Sequence, residues 1–167
     1  MSEVTSSEPA AAADGVEVVP VEQLISRHLQ IGWWSLLVFL TLGIGLEALH
    51  GFKIPWYLNV DDTLTRRLMW RLAHVHGGMI ALVHIAFAAT LYVVELPPSN
   101  WQSWASGCLT AAGIMMPVGF FLGGVWFYGG DPGEGIFLVP PGALLLFAAV
   151  VLTARAIAGV SPRTLDR

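Results

Sequence analysis

Charge is scarce in this chain. Of 167 residues only 12% are Asp, Glu, Lys or Arg, and between Glu95 and Arg155 the charged residues are Asp131 and Glu134 alone. A soluble helical protein could not keep such a surface hydrated. There is no basic patch, which excludes nucleic acid as an expected partner. A single cysteine, Cys108, rules out an internal disulfide. No phosphate loop, dinucleotide fingerprint, nucleophile elbow or zinc-protease motif occurs, so the isolated chain is not expected to act as a hydrolase, kinase or dehydrogenase. A cleavable signal peptide begins with basic residues, whereas the first twenty here are acidic and Ala-rich; the first spanning helix is expected to direct insertion.

Apolar residues are abundant: 55% of the chain, with a mean hydropathy of +0.66. That balance belongs to an integral membrane protein. The net charge of −4 arises mostly from Glu3, Glu8, Asp14, Glu17 and Glu22. Residues 1–29 therefore read as an acidic, largely disordered tail. Within it, Val21, Leu24, Ile25 and His28 fall on one helical face, which predicts a short interfacial helix.

About 20 apolar residues cross a hydrocarbon core. Four segments reach that length, at about 31–50, 68–95, 104–128 and 140–158. Gly51 and Pro55 are expected to stop the first, Pro97 and Pro98 the second, and the run Gly129 to Gly135 the third. Pro140 and Pro141 suit the first turn of the fourth. Short connections predict an all-α, four-helix transmembrane bundle over 30–158 with antiparallel neighbours, followed by a C-terminal tail, 159–167. Trp33, Trp34, Tyr92, Trp101 and Trp104 mark one interface; Trp56, Tyr57, Trp70, Trp126 and Tyr128 mark the other. Ala73, Gly77, Ala81, Gly119 and Gly123 have the spacing of close helix packing, and Pro117 predicts a kink in the third span.

Basic residues divide evenly, with Arg27, Arg155, Arg163 and Arg167 on the side of the termini and Lys53, Arg66, Arg67 and Arg71 on the other. The expectation is an inner or plasma membrane protein with cytoplasmic termini, since the acidic tail then need not cross.

Against this apolar background, ionisable side chains stand out. His74, His76 and His84 lie within the second span, where such groups usually face a cavity, a bound ion or one another. At about 100° and 1.5 Å per residue, His74 and His76 point about 160° apart at nearly one level, and His84 lies about 15 Å deeper. Glu47 and His50, one turn apart, share a helix face near the end of the first span. With Arg71, His74 and His76 they form a constellation near one interface.

Neutral imidazole is a good axial ligand to iron. One reading is therefore haem b held by His84 or His74, with His50 or His76 as partner and Gly77 and Gly78 leaving room for the macrocycle. The stretch Ala73, His74, Val75, His76 resembles the His-x-His helix of catalytic subunits in the haem-copper oxidase and nitric oxide reductase superfamily. That resemblance implies haem-ligand roles for His74 and His76. It is confined to this stretch: the chain has four spans and no adjacent His-His pair for copper, so oxygen or nitric oxide reduction does not carry over. A second reading is a non-haem site for iron or another transition metal, with Glu47, His50 and one of His74 or His76 as ligands and a position left open.

Other expectations compete. Arg71 pairs with Glu47, the histidines bond backbone carbonyls, His84 bonds Thr41 or Ser35, and His28 and Glu95 sit at the opposite interface. In that case the protein is an accessory or assembly subunit of a larger membrane complex, or a homo-oligomer, without a cofactor. A proton or small-solute path through Glu47, His84 and Glu95 is the third alternative. Cys108 is expected to pack, and Asp61 and Asp62 to pair locally with Arg66 and Arg67.

Overall fold

Pro20 lacks an amide hydrogen and precedes helix α1 (Val21–Gly51), which runs without a break through the stretch expected to form a separate interfacial helix. The structure, a computed structural model, describes residues 19–58, 64–94, 96 and 99–158. The acidic residues before Val19, Asp61, Asp62, Glu95, Pro97, Pro98 and the final arginines lie outside them. Gly51 is the last residue of α1, but the left-handed position that turns the chain falls on Lys53, φ 51°, not on a glycine. A one-turn helix, α2 (Pro55–Leu58), leads towards α3 (Thr65–Val93).

Helix α4 (Asn100–Val125) opens with the Ser99 amide donating to Gln102 Oε1 at 3.2 Å, which anchors its first turn. It continues through Pro117. The Gly113 carbonyl consequently lacks its usual amide donor. Strands β1 (Phe127–Tyr128) and β2 (Asp131–Pro132) form a minimal hairpin about Gly129 and Gly130, φ 57° and 97°. Two successive positive φ values make glycine the natural occupant of this turn. A short 3-10 turn (Glu134–Leu138) then feeds α5 (Val139–Ala158), with both prolines in its first turn.

The described residues thus form four helices long and apolar enough to cross a membrane: Val21–Gly51, Thr65–Val93, Asn100–Val125 and Glu134–Ala158. Neighbours run antiparallel. Gly32 lies against Ala81 and Ile85 while Gly43 lies against His74; Gly113 meets His84 while Gly124 meets Trp70; Gly119 meets Val139 while Leu109 and Ala149 line one depression. Both ends of the helical region therefore lie on the same side.

The helices form a row in the order α1, α3, α4, α5, and α1 shares no extensive interface with α5. Burial follows this order: 39% and 44% of the most apolar stretches of α3 and α4 are enclosed, against 11% for each edge helix. Small residues permit the close approach. Ala73, Gly77, Ala81, Ala105, Ala112, Gly119 and Gly123 are all buried, and the Phe39 ring sits directly over Gly77. The space expected for a macrocycle at Gly77 is thereby filled by a side chain of α1.

Most of the expected aromatic belt is outward-facing, including Trp33, Trp34, Tyr92 and Trp104 at one end and Trp56, Trp126 and Tyr128 at the other. Trp70 departs from it. Its indole is buried, stacks on Phe121 with centroids 5.2 Å apart and donates to the Phe121 carbonyl at 3.0 Å. Once its polar N–H is bonded, the ring serves as core.

Candidate functional site

Two polar places interrupt the apolar row. The first is a half-open groove of about 800 Å3 between α1 and α3, lined by Leu40, Gly43 and Ile44, and also by Glu47, His50, Tyr57, Arg67, Arg71 and His74. Helical spacing creates it: Glu47 and His50 are one turn apart on α1, and Arg67, Arg71 and His74 follow at intervals of four and three on α3. Antiparallel packing brings these two turns to one level.

His74 is the most constrained member. Its Nδ1 lies 2.7 Å from the Phe39 carbonyl of α1. A carbonyl only accepts, so Nδ1 carries the hydrogen and, in the neutral ring, Nε2 carries the lone pair. Among the described residues Nε2 has no hydrogen-bond partner, and the residue lines the groove. Gly43 makes this possible, because a Cβ there would lie 2.5 Å from His74 Cε1.

His76 turns the other way. Its Nδ1 donates to the Leu72 carbonyl at 2.9 Å, and its ring rests on Phe120 of α4, centroids 4.7 Å apart. The helical wheel had placed the two histidines on opposite faces, and each does bond a backbone carbonyl as one sequence reading required. Glu47, His50 and Arg71 are exposed on the groove wall, so His50 shares the groove with His74 whereas His76 does not. Among the described residues no three His, Cys, Asp or Glu side chains gather closely enough to hold a metal ion.

The second place is closed. His28 and His84, 0% and 2% exposed, approach Nδ1 to Nδ1 at 2.6 Å with their rings stacked at 24°. His28 Nε2 lies 2.8 Å from Ser106 Oγ of α4, and Phe87 covers the pair edge-on. His84 Nε2 nests against α4, where a Cβ on Gly113 would come within 3.1 Å of it. In place of the partners expected for His84, Thr41 or Ser35, stands His28, which in turn bonds Ser106; Thr41 instead bonds its own helix at the Leu37 carbonyl. His28 is correspondingly not a surface residue. The spacing of Val21, Leu24, Ile25 and His28 had already put it on the apolar face, and that was the available signal. Ser106 carried none.

His84 is thus enclosed between His28 and α4, whereas Glu47 lines the groove. Of the titratable path through Glu47, His84 and Glu95, Glu95 lies outside the described residues; Glu47 lines the groove and His84 meets His28. No protein-family model, curated protein or solved structure matches the chain.

Proposed function

We propose that this is a bilayer-embedded protein carrying a haem b or other transition-metal cofactor in the groove between α1 and α3, for electron transfer or gas binding. One observation carries the reading: His74 lines an open groove while its Nδ1 hydrogen is fixed on the Phe39 carbonyl, which leaves Nε2 as the ring's free ligating position. Metal-bound histidines almost always hold their second nitrogen in this way, which orients the ring and raises its basicity.

The remainder of the groove supports the same ligand class. About 800 Å3 falls in the range of cofactor pockets. Leu40, Ile44 and Val75 supply an apolar wall, and Arg67 and Arg71 offer guanidinium groups to carboxylates such as haem propionates. His50 lines the same groove and is the candidate second ligand; Glu47 is the carboxylate on the same wall. When bound, the metal supplies the redox or gas-binding chemistry, and the protein supplies orientation and an apolar surround. The membrane is proposed to be an inner or plasma membrane with both termini cytoplasmic, because the acidic tail then stays on the side of synthesis.

The accessory-subunit reading rests on a different observation. Helices α1 and α5 leave most of their apolar surface uncovered, as subunits of a larger membrane assembly or of a homo-oligomer do. A visible spectrum of detergent-purified protein, oxidised and reduced, together with metal analysis, separates the two. The cofactor reading requires a Soret band or a bound transition metal that His74→Ala abolishes and His76→Ala retains. A colourless, metal-free protein leaves the accessory role.

A further inference from the structure

The groove between α1 and α3 is graded along its length. Gly43 and His74, which touch, set one level. Towards α2, Arg71 lies about 4.5 Å and Arg67 about 10.5 Å further along α3, and Glu47 lies about 6 Å further along α1, between the two arginines in height. Near the level of His74 and deeper, the wall is Leu40, Ile44 and Val75, which are 53%, 72% and 56% exposed. In a bilayer such side chains meet acyl chains, so the inner part of the groove opens sideways onto hydrocarbon.

The charged end holds both signs without neutralising them. The pair expected between Glu47 and Arg71 is not formed; among the described residues no ion pair is made. Glu47 stands on the α1 wall and the two guanidinium groups on the α3 wall, with the groove between them. The cations converge on one place: Tyr57 of α2 closes this end, is 2% exposed, and has its phenol within the field of both Arg67 and Arg71. Trp56 beside it is exposed and marks the depth at which headgroups lie.

We propose that the groove binds a phospholipid whose headgroup carries a primary ammonium as well as a phosphate. The phosphate lies on Arg67 and Arg71, the ammonium on Glu47, and one acyl chain along Leu40, Ile44 and Val75. Guanidinium groups suit phosphate oxygens, and a primary ammonium donates hydrogen bonds to a carboxylate where a trimethylated one has no hydrogen to give. An anionic headgroup without a cation leaves Glu47 facing negative charge. The inference rests on the bilayer placement and not on the cofactor. An ion on His74 leaves the charged end free, whereas a macrocycle with its carboxylates on the same arginines competes with the lipid.

The test incubates the full chain in detergent with equal amounts of phosphatidylethanolamine, phosphatidylcholine and phosphatidylglycerol of the same acyl chains, and counts retained lipid by native mass spectrometry. One phosphatidylethanolamine per chain is expected, favoured about tenfold over either competitor, the worth of one charge-assisted hydrogen bond. Glu47→Gln brings it down to the level of phosphatidylcholine, and replacing Arg67 and Arg71 together by Gln lowers all three. Lys53→Gln, at an exposed position outside the groove, changes nothing. Circular dichroism checks that each variant folds. The count is repeated in His74→Ala, which the cofactor reading leaves without a cofactor, so that a macrocycle cannot be what keeps lipid out. Phosphatidylglycerol retained as well as phosphatidylethanolamine, a preference that survives Glu47→Gln, or no preference in His74→Ala overturns the proposal. A colourless, metal-free protein that selects phosphatidylethanolamine sinks the cofactor reading alone; a Soret band without lipid selection sinks this one alone.

Discussion

His28 of α1 and His84 of α3 stand 56 residues apart in sequence and 2.6 Å apart in space, nitrogen to nitrogen. Neither ring reaches solvent, and the only way to satisfy both is for one to donate where the other accepts. A buried polar contact of this kind sets the register of α1 on α3, because sliding either helix by one residue strands two imidazoles in an apolar layer.

Energetic coupling between the two rings follows. His28→Phe and His84→Leu are each expected to destabilise the protein by about 1–3 kcal/mol, since each leaves a buried partner unbonded. The double variant should cost clearly less than the sum, because no imidazole is then left facing a missing partner; the Ser106 hydroxyl loses His28 in His28→Phe and in the double variant alike. Thermal unfolding in detergent reads all three; strictly additive losses would show that the rings act independently.

Gly43 bears on the groove. A methyl at this position meets the His74 ring, so Gly43→Ala is expected to push the imidazole off the Phe39 carbonyl and to cost about 1–3 kcal/mol by overpacking. Gly45, with nothing within 4 Å of an added Cβ, is the control, and Gly45→Ala should leave stability unreduced. Unfolding midpoints compare the two, with any Soret absorbance falling in the first variant only.

Arg66 ties three elements at the opposite end. It donates to the Gly124 carbonyl at 3.2 Å and the Trp56 carbonyl at 2.9 Å, and its guanidinium lies 4.4 Å from the Trp56 ring and 4.9 Å from Phe127. Arg66→Ala should destabilise by about 1–3 kcal/mol and shift tryptophan fluorescence as Trp56 loosens. Arg66→Lys should rescue little, since an ammonium cannot reproduce the planar fork. Full recovery with lysine would reduce the role to charge.

Alkaline pH acts through Tyr57. Burial raises its phenol above the ordinary 10.0, against the opposing charges of Arg67 and Arg71. The folded protein then keeps its proton where the unfolded chain loses it, so stability is level below about pH 10 and declines as pH rises through that value. Unfolding midpoints from pH 8 to 11 check the sign: Tyr57→Phe should flatten the decline, and an identical alkaline limb would assign it to other groups.

Much of this architecture was legible before any coordinates. Four apolar runs, their Gly and Pro boundaries and the outward tryptophans Trp33, Trp34 and Trp104 follow from what hydrocarbon demands of a backbone and from where indole rings settle. The wheel separation of His74 from His76 needed only the helical repeat. Trp70 was misplaced because its spacing does not reveal whether a neighbour offers its N–H an acceptor; Phe121, 51 residues on, supplies one. Gly77 was open on paper and is filled by Phe39, again from another helix.

Composition and periodicity thus determined that the chain is helical, which segments are long enough to cross a bilayer, and which histidines had to be accounted for. Tertiary packing alone decided that His84 meets His28, that His74 opens on a groove while His76 rests on Phe120, and that the helices stand in a row with two exposed edges. The physical reason is reach: hydropathy and the 3.6-residue repeat are written in neighbouring residues, whereas a buried imidazole finds its partner only when another helix arrives at the right height and rotation.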